Sequence, residues 1–260
     1  VGPPKSLMFI FEAIEALESY FPLSFQESWD NSGFQVLFKH NILSGILLAL
    51  DIRLETIKEA KQNDCNLIIA HHPLFLQALK NFDYKFYPEN VLYLATKNEI
   101  SIYAAHTNLD IAPFGLNYHL CKKFSLKNFF MLENLKPVFI GELEREQTFD
   151  EFIEFVKKTL NVPILKYVSS HNRSIKKLAI CSGSCADYIP KLKGFDIDAF
   201  ITGDLKHHSA IFAQQNGINV IDATHFYTEV WSKDVLFECL KDLDVNVIKS
   251  AKDYIPWNYI

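Results

Sequence analysis

The chain has 260 residues, 49% of them hydrophobic and 14% aromatic, and a formal charge of −5 at pH 7. That length and apolar content suffice for one large or two small domains with a full core. The acidic balance supplies no global attraction to nucleic acid or to an anionic membrane, and no stretch approaches the roughly 18 to 20 consecutive apolar residues of a membrane span.

The N-terminus lacks the basic, apolar and small-residue pattern of a secretory signal, so a soluble, cytoplasmic protein is expected. Val1-Gly2-Pro3-Pro4-Lys5 precede the first methionine, Met8, and read as an expression scar outside the fold. Over residues 9–20, Ile10, Phe11, Ile14, Leu17 and Tyr20 interleave with Glu12, Glu15 and Glu18 at helical spacing. Residues 42–52 form a nearly continuous apolar run that predicts a buried strand, followed by a helix over 54–63 and a second buried strand over 66–70. A helix over 89–98 leads to a strand over 100–105, and Pro113 and Gly115 punctuate a loop before a helix over 116–124.

The second half repeats this rhythm. The spacing predicts helix over 147–160, strand over 177–181, a short helix over 186–192, strand over 199–202, helix over 206–216 and strand over 219–222. Residues 235–248 add one more helix and a strand with no sheet assigned. Strands that alternate with helices and are apolar on both faces predict an α/β protein of two similar domains, with mixed sheets covered by helices. A boundary near 125–145 divides it into a first domain at 1–125, joined by 235–260, and a second at 126–234. The five cysteines, Cys65, Cys121, Cys181, Cys185 and Cys239, are odd in number and include no C-x-x-C pair, which predicts reduced core thiols. Lys122-Lys123 and Arg173 with Lys176-Lys177 read as solvated faces.

In open α/β sheets, ligands bind beyond the carboxyl ends of the strands. Strand 66–70 ends in His71-His72, strand 100–105 in His106-Thr107-Asn108-Leu109-Asp110, and strand 219–222 runs into Thr224-His225-Phe226-Tyr227-Thr228-Glu229. His106 and Asp110, like His225 and Glu229, are four positions apart, which brings both members of a pair to one side. Pro73 restricts His72 to extended backbone, so both neighbouring imidazoles can turn into one site. Each motif alone has a plainer account: satisfied polar groups at a strand end, a helix cap, a surface salt bridge. Together they form a nitrogen and oxygen ligand set without thiolate, suited to Zn, Mn or Fe. It has too many donors for one ion with an open position, and matches two ions bridged by a carboxylate.

These residues, with Trp29-Asp30-Asn31-Ser32-Gly33, Ala49-Leu50-Asp51, Pro73-Leu74, Gly115, Asn117 and Thr202-Gly203-Asp204-Leu205-Lys206-His207-His208, resemble the GTP cyclohydrolase 1 type 2 family, the NIF-three-like proteins. The resemblance follows family order over nearly the whole chain and matches the short form that lacks an inserted domain. It implies a dinuclear metal site in the crevice between two α/β domains and assembly as a toroidal homohexamer. Carried over residue by residue, it makes His71, His72, Asp110, His225 and Glu229 the ligands of two divalent ions per subunit, with Glu229 as the bridge. His106 then lies beside the metals as an outer group or proton shuttle, and His207 is a second candidate for passing protons, His207-His208 lining the pocket.

Two positions depart from the family pattern. The glycine-rich segment is reduced to Cys181-Ser182-Gly183-Ser184-Cys185, which reads as a structural turn rather than an anion cradle, and Thr224 replaces the glycine before the last histidine. Trp29-Asp30-Asn31 fits either a cavity wall or a buried tryptophan followed by an Asx turn. The family name implies hydrolytic opening of the guanine ring of GTP with release of formate, an activated water attacking C8. The same fold and donors would also serve a phosphoesterase or amidohydrolase acting on another small molecule. A ring-shaped, metal-stabilised regulatory protein engaging nucleic acid is a third reading, disfavoured by the net charge and by the lack of a dense Lys/Arg stripe.

Overall fold

The computed structural model describes residues 7–260, so the Val1–Lys5 stretch lies outside the described residues. The chain divides into two units, Val1–Ala112 with Ser232–Ile260, and Pro113–Trp231. Both are α/β units with mixed sheets flanked by helices.

In the first unit, α1 (Ile10–Glu18) buries Ile10, Ala13, Ile14 and Leu17 as one stripe and leaves Glu12 and Glu15 to solvent, while Glu18 accepts from the Tyr103 hydroxyl at 2.8 Å. There follow β1 (Gly33–Val36), β2 (Gly45–Ala49), α2 (Leu54–Gln62), β3 (Leu67–Ala70), α3 (Glu89–Lys97), β4 (Ser101–Ala104) and α4 (Thr107–Ile111). The second unit holds α5 (Leu116–Lys123), β5 (Lys127–Met131), β6 (Phe139–Gln147), α6 (Phe149–Leu160), β7 (Lys166–Val168), β8 (Ile175–Ile180), β9 (Ala199–Thr202), α7 (His207–Gln215), β10 (Asn219–Asp222) and α8 (His225–Glu229). The chain then returns to the first unit with α9 (Ser232–Leu240) and β11 (Asn246–Lys249).

The first sheet has the order β1-β4-β3-β2-β11. Its strands β11, β2, β3 and β4 run parallel, and β1 closes one edge antiparallel to β4. Every residue of β2, β3 and β4 is buried, as expected for parallel strands covered on both faces. Because those strands share a direction, Asp51, His71-His72 and His106 leave the sheet at the same edge. The last strand, unassigned from sequence, pairs with β2 from Asn246↔Gly45 to Lys249↔Leu48. Behind it the C-terminal segment is tied down: Asp253 accepts from the amides of Leu50 and Asp51 at 3.1 Å each and pairs with Lys233 at 2.8 Å.

The second sheet has the order β5-β6-β8-β9-β10-β7, with β8, β9 and β10 parallel and the others antiparallel to their neighbours. Here too the parallel strands deliver their carboxyl ends together, at Cys181, Gly203-Asp204 and Ala223-Thr224. Helix α6 starts where Thr148 and Glu151 form a capping box and ends at Asn161 in the left-handed region.

Several expectations are corrected. The segment 42–52 is a strand only over Gly45–Ala49, with Ile42 bridging Phe9 instead. The helix expected over 186–192 is a 3-10 helix, Ala186–Leu192, because Pro190 lies inside it and lacks the amide an α-helix would use. Cys65, Cys121 and Cys239 are free thiols, but Cys181 and Cys185 are joined as a disulfide with Cα atoms 6.0 Å apart. A spacing of four across a tight turn brought them within reach, which the absence of C-x-x-C had not suggested. Among the described residues, no helix is long and apolar enough to cross a membrane.

Candidate metal centre

In the first unit, β3 ends on Ala70 and the backbone continues in register beside β2, His71 donating its amide to Ala49 and His72 to Leu50. This prolongation holds the two imidazoles with ring centroids 5.1 Å apart and planes tilted by 41°. His71 is fully buried and His72 half-buried. His106 leaves β4 at the same edge, its ring 5.3 Å from that of His71 and 5.7 Å from that of His72. One nitrogen from each of these three rings lies within 4.8 Å of the others. His106 is the N-cap residue of α4, whose first turn places Asp110 with Oδ1 3.6 Å from Nε2 of His71.

What holds the rings decides which nitrogen each presents. Nδ1 of His71 lies 2.8 Å from the carbonyl of Ala105, Nδ1 of His72 lies 2.8 Å from Oδ1 of Asp51, and Nδ1 of His106 lies 2.7 Å from Oδ1 of Asp30. A carbonyl or a carboxylate can only accept, so each Nδ1 carries the proton and a neutral ring has its lone pair on Nε2. Asp51 is itself braced, its second oxygen accepting from Arg53 at 3.2 Å, while the Arg53 guanidinium stacks 3.9 Å from the Tyr254 ring centroid.

In the second unit, β10 ends at Asp222 and the chain turns through Thr224, whose φ of 66° lies in a region that favours glycine. Thr224 caps α8, its hydroxyl accepting from the Tyr227 amide at 3.2 Å, and α8 carries His225 and Glu229. Nε2 of His225 lies 2.8 Å from Oε2 of Glu229, and Nδ1 lies 2.7 Å from Oδ2 of Asp204. Glu229 is 3% exposed, so this is no surface ion pair. Burial pushes the His225 imidazole down, but the Glu229 carboxylate and the hydrogen bonds to Asp204 and Glu229 outweigh it and lift it to about 11. Asp204 is held below its ordinary value by the same hydrogen bond from His225. Two carboxylates around one imidazole thus make a seat for positive charge.

Glycines bring the pieces together. A Cβ at Gly203 would meet the backbone of Thr224 and His225 at 2.7 Å, and one at Gly183 would lie 2.1 Å from Oε1 of Glu229. Gly183 also donates its amide to the Thr228 hydroxyl at 3.0 Å. The Cys181–Cys185 loop therefore seats the Glu229 carboxylate, a structural task consistent with its reading as a turn. His207 and His208 begin α7, exposed to solvent, with ring centroids 5.5 Å apart.

Sequence reasoning assigned no role to Asp51 or Asp204, and left Asp30 open. A repeated spacing could have found two of them. Asp51 and His72 are 21 residues apart, as are Asp204 and His225, each aspartate following one parallel strand and each histidine following its neighbour. The donor chemistry of both units fits divalent metal: imidazoles fixed by acceptors on Nδ1, with carboxylates four residues along.

The chain matches the family model described as Duf34/NIF3 (NGG1p interacting factor 3) over residues 8–254. It is 36% identical over 241 residues to a GTP cyclohydrolase 1 type 2 homolog of Campylobacter jejuni, covering 93% of this chain and 95% of that one. It is 37% identical over 218 residues to the GTP cyclohydrolase 1 type 2 of Helicobacter pylori strain J99, covering 84% and 86%. Among solved structures, reduced HcgD from Methanocaldococcus jannaschii superposes with a TM-score of 0.83 at 32% identity, covering 93% of this chain and 97% of that one. The Staphylococcus aureus protein SA1388 superposes with a TM-score of 0.89 at 27% identity, covering 98% and 100%. The order of the motifs, the two mixed sheets and the histidine cluster at the strand ends agree with these matches, and the chain belongs to the Duf34/NIF3 family.

Proposed function

We propose that His71, His72 and Asp110 of the first unit, and His225 and Glu229 of the second, are the ligands of two divalent metal ions per subunit, and that the protein is a hydrolase opening the guanine ring of GTP with release of formate. The observation that carries this reading is that the three ligating histidines, His71, His72 and His225, each have Nδ1 against an obligate acceptor, which leaves Nε2 as the nitrogen offered to a metal. The likeness to the Helicobacter pylori GTP cyclohydrolase 1 type 2 supports the choice of substrate.

Two bound ions of the Zn, Mn or Fe type supply Lewis acidity and a nucleophilic water at neutral pH. The chain's own residues do the rest. Asp51, Asp204 and the Ala105 carbonyl fix the orientation of the ligating rings, so little reorganisation is needed on binding. Gly183, lacking a Cβ, leaves the room that the Glu229 carboxylate occupies, where it would serve as a ligand. His106 and the exposed His207 are the side chains that carry protons, His106 beside the reacting water and His207 toward solvent. The reading includes assembly as a homohexamer, which light scattering on the purified protein tests.

Protein prepared without chelator should show two anomalous peaks among these five ligands, and metal-loaded protein should release formate from GTP. Replacing His71 with alanine should abolish both. Turnover of GTP by His71→Ala at the parent rate would sink the proposal. If metal is present but GTP is untouched, phosphoesters and cyclic amides are the substrates to screen next.

A further inference from the structure

Asp30 is a buried carboxylate that none of the proposed steps above employs. Its side chain is 0% exposed. Oδ1 accepts from Nδ1 of His106 at 2.7 Å and from the Asn31 amide at 2.7 Å. Oδ2 accepts from the Ser32 hydroxyl at 2.7 Å, from the Thr107 amide at 3.1 Å and from the Thr107 hydroxyl. The Thr107 oxygen in turn accepts from the Glu27 amide at 2.9 Å, so the Thr107 proton points at Asp30. Asn31 anchors the other side of the turn, its amide donating to the Phe75 carbonyl at 2.7 Å. A structural Asx turn needs one or two such bonds; this carboxylate has five, from its own turn and from the separate His106-Thr107 segment.

Trp29, expected either as a cavity wall or as a buried ring, is 60% exposed and meets the His106 ring edge-on, centroids 6.0 Å apart. The turn therefore buries its carboxylate and leaves its largest apolar side chain out, the reverse of what packing alone would select. What the arrangement secures is the orientation and proton inventory of one imidazole.

We propose that Asp30 is a positioning residue that fixes His106 as its Nδ1–H tautomer, making Nε2 of His106 the proton acceptor of the site and leaving His106 outside the metal ligand set. This deepens the hydrolase reading and rests on it for the identity of the reacting water. When that water gives its proton to Nε2, the ring becomes an imidazolium, and the Asp30 carboxylate facing Nδ1 offsets the new charge. Asp30 itself needs no proton, because its five donors favour the ionised form.

Asparagine at position 30 tests the geometry. On the Oδ2 side its NH2 group would face three donors, the Thr107 amide and the Ser32 and Thr107 hydroxyls, and on the Oδ1 side only the Asn31 amide and His106, whose ring can change tautomer, so it turns toward Nδ1 of His106 and forces the opposite tautomer. We would compare zinc-loaded parent and Asp30→Asn by 15N NMR of labelled histidines, assigning His106 as the resonance missing from His106→Gln, with zinc content and GTP turnover measured on the same samples. The expected result is Nδ1–H in the parent, Nε2–H in Asp30→Asn, unchanged zinc content, and turnover lower by about 100-fold. Nε2–H in the parent overturns the proposal even if the variant fails to fold. So does an Asp30→Asn protein that keeps the parent tautomer, or one that loses zinc in step with turnover. Should the parent show no GTP turnover, the hydrolase reading fails separately, and the tautomer pair still decides the role of Asp30.

Discussion

Gly183 lies directly beneath the carboxylate of Glu229, so close that a Cβ on the glycine would stand 2.1 Å from Oε1. The contact links a loop with no metal-ligating side chain of its own to a proposed metal ligand. It also explains why position 183 is a glycine, with φ of 67°.

Gly183→Ala should therefore act twice. The left-handed backbone costs an L-residue about 1–3 kcal/mol, and the new methyl group displaces Glu229 from its seat. Thermal unfolding of metal-free protein reads the first effect and metal content after dialysis reads the second. An alanine variant that binds both ions like the parent would separate Gly183 from the site.

Asp51 tests the orienting role of the outer carboxylates. With its oxygen 2.8 Å from Nδ1 of His72, it sets the ring's tautomer and raises the basicity of Nε2. Asp51→Asn should weaken metal binding by roughly 10- to 100-fold, the usual cost of losing such a partner. Competition with a chelator measures it. Equal affinity in both proteins would mean that the contact only packs His72.

How much of this was legible beforehand follows from where the signals lie. The strands β2, β3 and β4 announce themselves as apolar runs, because parallel strands covered on both faces carry no polar alternation, and His71-His72 stand out at the end of one. The strands β5 and β6 were not read. β5 is largely exposed and β6 carries Glu144-Arg145-Glu146, so neither shows a continuous apolar face. β1 is four residues long and starts at a glycine with φ of 109°. The ligand candidates were legible through the spacing of four that α4 and α8 realise. Their partners Asp30 and Asp51 were not, since the former reaches His106 across 76 positions and an isolated aspartate after a strand looks like any cap. Trp29, which fitted either a cavity wall or a buried ring, is 60% exposed, and nothing in its sequence surroundings separates the two.

Thr224 holds a β-branched side chain at φ 66° and ψ 157°. Glycine there removes strain of about 1–3 kcal/mol, against roughly 0.5–1 kcal/mol of added chain freedom when unfolded and a few tenths for the lost cap. Alanine keeps most of the strain and loses the cap, at about 1 kcal/mol. Urea unfolding should therefore rank Thr224→Gly at or above the parent and Thr224→Ala below it. Alanine equal to or more stable than glycine would show that the turn is unstrained.

Asp30 also ties the site to acid stability. Burial pushes its carboxyl up, but hydrogen bonds from His106, Ser32 and Thr107 and the adjacent imidazole outweigh burial and hold it well below the ordinary carboxylate value of 3.8. A carboxylate depressed in the folded state contributes stability that is complete above its unfolded value and is lost as the pH falls toward its folded one. The stability gap between the parent and Asp30→Asn, measured by urea unfolding of metal-free protein, should be widest above about pH 5 and should narrow progressively toward about pH 2. His106→Gln should shrink the gap from the other side, since it removes the largest opposing contribution. A gap that stays constant across this range would mean that the five donors stabilise the protonated acid as well as the anion, and that Asp30 is held for shape rather than for charge.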